Sequence, residues 1–147
     1  MQTKAIDRSS LLHSFLILGL VLWVGSALQH STEPELGALP VPEIAVLEAV
    51  AAIAKGATVI DVRSRDTYAE GHIAGAISMP LDELKRRAPE LAAASDKEYI
   101  VYCGNGSTLG PQAARALAGA GHPSTRNLPA GYSGWKAAGQ AVATGIK

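Results

Sequence analysis

Tyr99-Ile100-Val101-Tyr102-Cys103-Gly104-Asn105-Gly106-Ser107-Thr108-Leu109-Gly110-Pro111-Gln112-Ala113-Ala114-Arg115-Ala116-Leu117 joins an apolar run, a glycine-broken loop and a stretch of helical spacing. Residues 99–102 read as a buried strand. Leu109, Ala113, Ala116, Leu117 and Ala120 fall on or near one stripe of a helix from Leu109 to Ala120. A strand that runs through a loop into a helix implies a crossover to a parallel neighbour. In open parallel sheets the ligand site lies beyond the carboxyl ends of the strands. Cys103 stands at that point.

Gly104 and Gly106 let the backbone between Cys103 and Thr108 curl through angles that other residues resist. Such a curl can turn peptide N–H groups inward into an anion-binding nest. The helix that follows presents its positive dipole end to the same place. Pro111 falls in the first turn of that helix, where a missing N–H costs little. A cysteine so placed is predicted to ionise more readily than a free thiol, and the thiolate is the nucleophile. The competing reading is a structural glycine turn around an inert cysteine that packs as a small hydrophobe. Phosphoryl transfer from a cysteine loop needs an arginine after five intervening residues to clamp phosphate. That position holds Leu109, and no residue from Gly104 to Thr108 is basic, so phosphoryl transfer is not the expected chemistry.

Working outward, the runs Thr58–Val62, Ile77–Met79 and Thr125–Leu128 read as three further strands. Between them lie helical patterns. Glu43–Lys55, stopped by Gly56, places Ile44, Leu47, Val50 or Ala51, and Ala54 at helical spacing. Leu81–Ala88 puts Leu81, Leu84 and Ala88 on one face, with Asp82–Arg86 and Glu83–Arg87 paired at i,i+4 on the other. Tyr132–Ala138 carries Trp135. The alternation predicts an α/β fold: a central, mostly parallel sheet of four to five strands flanked by helices on both faces, preceded by an N-terminal apolar helix.

That apolar helix is read from Ser9–Gln29, which holds no Asp, Glu, Lys or Arg. As a helix, Leu11–Leu28 would span about 27 Å, close to a hydrocarbon core of about 30 Å. Residues 1–29 are therefore expected to be a membrane anchor, with Trp23 near the outer interface, or a signal segment cut near Gly25-Ser26-Ala27. Lys4 and Arg8 precede the segment and the first Lys or Arg after it is Lys55. This asymmetry places the following domain outside the cytoplasm: single-pass on the periplasmic or extracellular side, or secreted to the periplasm after cleavage. Residues 30–42, with three prolines, read as a linker, and residues 43–147 as the folded domain.

The 147 residues carry 13 Lys plus Arg and 13 Asp plus Glu, so the net charge is zero and nucleic acid is not an expected partner. A single cysteine excludes an intrachain disulfide and a cysteine-rich metal site. His13, His30, His72 and His122 are scattered without metal-ligand spacing.

Four motifs in order resemble the rhodanese homology family, in particular its small single-domain sulfurtransferases. They are Ile60-Asp61-Val62-Arg63, Glu70-Gly71-His72-Ile73-Ala74-Gly75-Ala76-Ile77, the six-residue loop from Cys103 to Thr108, and Asn127-Leu128-Pro129-Ala130-Gly131 followed by Trp135. The likeness covers roughly Glu43 to Gly139. It implies a sulfurtransferase that needs no metal or organic cofactor. Cys103 would take a sulfane sulfur from a small-molecule donor such as thiosulfate or a persulfide. It would pass that sulfur to a thiophile such as cyanide or a thiol. The N–H groups of Gly104, Asn105, Gly106, Ser107 and Thr108 would bind the anion. Asp61, Arg63, Glu70 and His72 are read as structural support: Asp61 caps a turn, Arg63 pairs with Glu70, and His72 is hydrogen-bonded and partly buried. Catalytic roles for Asp61 and Arg63, and a general-base role for His72, are the alternatives. Many thiosulfate-using members carry Arg or Lys within the loop, and here Arg63, Arg65 or Lys136 would have to supply charge from outside it. A catalytically silent binding module of the same family, held at the membrane, is the second reading.

Overall fold

The computed structural model describes residues 40–91 and 97–146. The N-terminal apolar helix and most of the linker expected from the sequence lie outside the described residues. Among the described ones, no helix is long and apolar enough to cross a membrane.

Four strands, β1 (Thr58–Asp61), β3 (Ile77–Ser78), β4 (Tyr99–Tyr102) and β5 (Thr125–Asn127), form one sheet in the order β3-β1-β4-β5. Every pair in it is parallel. The centre is the β1–β4 ladder, with Ile60 opposite Val101 and Asp61 opposite Tyr102. Period-two alternation sends these strands' side chains to two cores. Val59, Ile100 and Tyr102 pack on one face with Tyr68 and Trp135. Ile60, Val101 and Cys103 pack on the other with Leu84, Ala113 and Leu117.

The helices follow from that split. Helices α1 (Val46–Ala54), α2 (Arg65–Glu70) and α5 (Gly131–Ala137) cover the first face. Helices α3 (Leu81–Arg87) and α4 (Leu109–Gly119) cover the second. A 3₁₀ turn over Ala88–Glu90 extends α3. In α3 the Glu83–Arg87 pair forms as expected, and Glu83 also takes Arg65.

The structure departs from the sequence reading in three places. The first helix begins at Val46, not Glu43, because Glu43 bridges to Asn127 and Ile44 donates its N–H to the Asn127 carbonyl at 2.9 Å. Ile44 therefore reaches the core from an extended segment. The buried stripe of α1 turns to Ala49 and Ala52, and Leu47 is left 75% exposed. Second, α2 has no apolar stripe to betray it. It carries one buried residue, Tyr68, and starts on Ser64, whose Oγ accepts from the Thr67 N–H at 3.2 Å. Third, β2 (His72–Ile73) and β6 (Val142–Ala143) form a separate antiparallel pair. The last residues of the expected linker are fixed to the sheet: the Pro42 carbonyl accepts from the Asn127 N–H at 2.8 Å.

Candidate active site

Cys103 follows β4 directly and is 3% exposed, on the α3–α4 side of the sheet. Between it and α4 the loop turns at Gly106, whose φ of +71° a side-chain-bearing residue rarely adopts. A Cβ there would also overlap the Pro129 carbonyl. The loop is braced from the β5–α5 connection. The N–H of Tyr132 donates to the Cys103 carbonyl at 2.9 Å, and that of Ser133 to the Gly104 carbonyl at 3.0 Å. Gly131, at φ +57°, lies so close that a Cβ would meet the carbonyl oxygens of Gly104 and Cys103 at 2.6 and 2.7 Å.

Thr108 is the N-cap of α4 but makes no side-chain capping bond. The first N–H groups of a helix need a partner from outside it, and here the partner is sulfur. Burial pushes the Cys103 thiol up, but the N–H groups of Gly110, Thr108, Leu109 and Gly106 outweigh it and hold the thiol below its ordinary range. The sequence placed the cradle at 104–108; Gly106 and Thr108 of that span act on the sulfur, and Leu109 and Gly110 join them. Ser107 turns its N–H and Oγ to Asn105 Oδ1 at 3.4 and 2.9 Å. The missed donors lie in the first turn of the predicted helix, so orphan N–H groups were the signal available.

The supporting residues gather at the end of β1, on the other face. Arg63 pairs with Asp61, not with Glu70, which is exposed. Nη2 lies 2.6 Å from Asp61 Oδ2 and Nε 3.0 Å from Oδ1, while Nη2 also donates to the Gly71 carbonyl at 2.7 Å. The pair lie two positions apart in sequence, and the turn after β1 folds the guanidinium back onto the carboxylate. The Arg63 guanidinium stacks 4.6 Å from the Tyr132 ring centroid. Tyr102 accepts the Ile73 N–H at 3.0 Å. Burial, and then the Asp61 carboxylate, push its phenol well up, so it stays protonated. His72 is buried at 3% exposure; its Nδ1 meets the Tyr68 carbonyl at 2.9 Å and its ring stacks on Tyr68 at 3.7 Å. Trp135 packs in the first core, and its Nε1 donates to the Ala141 carbonyl at 3.0 Å.

Of the outside cations the sequence offered, Arg63 is held by Asp61 and Arg65 by Glu83. Lys136 is in the last turn of α5, away from the first-turn N–H groups that meet the Cys103 loop. A hollow lined by Arg65, Tyr68, His72 and Ser78 opens beside β3, and no loop residue lines it.

A family model described as a Rhodanese-like domain matches residues 46–138. Thiosulfate sulfurtransferase GlpE of Coxiella burnetii is 33% identical over 96 residues, covering 65% of this chain and 87% of that one. An HTH-type transcriptional regulator of Mycobacterium tuberculosis is 37% identical over 89 residues, covering 60% of this chain and only 38% of the regulator. Among solved structures, a thiosulfate sulfurtransferase from Pseudomonas aeruginosa superposes with a TM-score of 0.65 at 34% identity, over 73% of this chain and 21% of that one.

Proposed function

The chain belongs to the rhodanese-like domain family, and from that premise we propose that it is a sulfurtransferase carrying sulfane sulfur on Cys103. The observation that carries the reading is the place of Cys103 between the end of β4 and the uncapped start of α4, where backbone N–H groups, those of Gly110, Thr108, Leu109 and Gly106 foremost, lower its thiol. In the first step the Cys103 thiolate attacks the terminal sulfur of a donor R–S–SH. The Cys103 S–S bond forms, the donor's S–S bond breaks, and RS⁻ leaves with the electron pair. In the second step an acceptor thiolate or cyanide takes the outer sulfur and the electron pair returns to Cys103. The same N–H groups hold the negative charge before and after each transfer.

The cradle favours a persulfide over thiosulfate as donor. Oriented N–H dipoles suffice for a single negative charge, but a dianion is held best by a formal cation. The loop has none, and Arg63 and Arg65 are already paired.

Incubating the purified chain with thiosulfate, glutathione persulfide and polysulfide, followed by intact mass, tests the reading. A gain of one sulfur atom, absent in Cys103→Ser, is the expected result. The low exposure of the sulfur and the cation-free loop favour a second reading, a silent binding module, and no gain with any donor would establish it in place of the enzyme. Display outside the cytoplasm is part of the proposal, on the strength of residues 1–29. A reporter fused after Lys147 is expected to be active only there, and cytoplasmic activity would remove it.

A further inference from the structure

We propose that Asn127 is a positioning residue for the Cys103 loop: its amide nitrogen holds the Gly106 carbonyl while its amide oxygen packs against Gly110, and together these contacts set the direction of the loop's N–H groups. The inference rests on the reading of Cys103 as a thiolate nucleophile, and deepens it.

Asn127 ends β5 and is 1% exposed. Its backbone is tied on both sides, by its N–H to the Pro42 carbonyl and by its carbonyl to the Ile44 N–H, so the side chain is launched from a fixed point. Nδ2 donates to the Gly106 carbonyl at 3.1 Å. Oδ1 is buried without a hydrogen-bond partner among the described residues, an unfavourable state for an amide oxygen. It occupies the space that a Cβ on Gly110 would need. The side chain thus touches Gly106 and Gly110, two of the residues whose N–H groups lower the Cys103 thiol.

The consequence follows from peptide planarity. A carbonyl and the N–H of the next residue point in opposite directions across one rigid plane. With the Gly106 carbonyl held by Asn127, the Ser107 N–H must point away, and it is found toward Asn105 Oδ1 at 3.4 Å. Were this plane free to rotate, the Gly106 carbonyl dipole could swing toward the sulfur and repel its negative charge. At the other end, Gly110 lets the first turn of α4 settle against Oδ1 with its N–H on the thiol. Asn127 touches no reacting atom and acts through the loop.

The test titrates the thiolate of the full chain by ultraviolet absorbance and by the pH dependence of iodoacetamide alkylation, with a thermal melt in parallel. The wild-type midpoint is expected below that of a free thiol. Asn127→Leu is expected to raise it by about one unit, which is about tenfold in thiolate at a fixed pH below both midpoints, while the plateau alkylation rate at high pH is kept. Gly110→Ala is expected to raise it as well, and less so in an Asn127→Ala background, where the added methyl has room. A wild-type midpoint at the free-thiol value overturns the thiolate reading itself. A low wild-type midpoint that a folded Asn127→Leu leaves unmoved overturns only the role of Asn127. Should Asn127→Leu not fold, the Gly110→Ala cycle decides: an equal shift in both backgrounds overturns the role.

Discussion

At the carboxyl end of β4 the Cys103 sulfur meets four backbone N–H groups and no described cation. At the carboxyl end of β1, the next strand, Asp61 grips the Arg63 guanidinium through both oxygens. Both ends are buried, and both stabilise a negative charge. They do so for different purposes. A carboxylate matched to its own guanidinium is satisfied by one partner and is not free to exchange it. On the proposed sulfurtransferase reading, a sulfur held by dipoles keeps a partner-free charge that passes from thiolate to persulfide and back while the cradle stays in place. Tyr132 ties the two together, its N–H on the Cys103 carbonyl and its ring against Arg63. The fold therefore spends its formal charges on structure and its backbone dipoles on chemistry.

If that division is right, damage at β1 is the larger in stability and the smaller in thiol chemistry. Asp61→Ala leaves a buried guanidinium uncompensated and is expected to cost about 3–5 kcal/mol, read by chemical denaturation. The thiol midpoint of the fraction that remains folded should hardly move. A variant with near wild-type stability would break the comparison. Gly106→Ala acts on the other region. The left-handed angle alone costs roughly 1–2 kcal/mol, and the overlap with Pro129 adds to it. Sulfur loading is expected to fall by more than the melt implies, and loading that falls only in step with unfolding would count against the cradle.

The pH dependence sharpens the contrast. The Cys103 thiol is depressed in the folded chain, so it releases its proton at lower pH than in the unfolded chain. Its contribution to stability is complete above the ordinary thiol range and is lost as pH falls through the depressed value. Alkylation should follow the same fall, by about tenfold per pH unit below the midpoint. A rate still rising steeply through the free-thiol range would contradict the cradle. The smallest effect is expected at Arg65→Gln. Its pairing with Glu83 is on the surface, where such pairs are worth at most about 1 kcal/mol. Thiosulfate loading should be unchanged, and a selective loss would show that Arg65 serves the donor after all.

The chain by itself determined the order of the four main strands and of helices α1, α3, α4 and α5, because apolar or β-branched residues mark those strands and helical spacing marks the segments between them. It also placed Cys103 at a strand end before a glycine loop, since that position depends only on local spacing. Tertiary structure alone decided the rest. The β2–β6 pair joins two-residue strands some seventy positions apart, too short to leave a periodic signal. Leu47 faces solvent because Glu43 and Ile44 were drawn onto β5 and turned the helix that follows. Arg63 chose Asp61 over Glu70, and the N–H groups that act on the sulfur run on to Gly110. Which N–H groups face the sulfur depends on the orientation of single peptide planes, and residues distant in sequence, Asn127, Pro129 and Gly131, set those planes by packing against them.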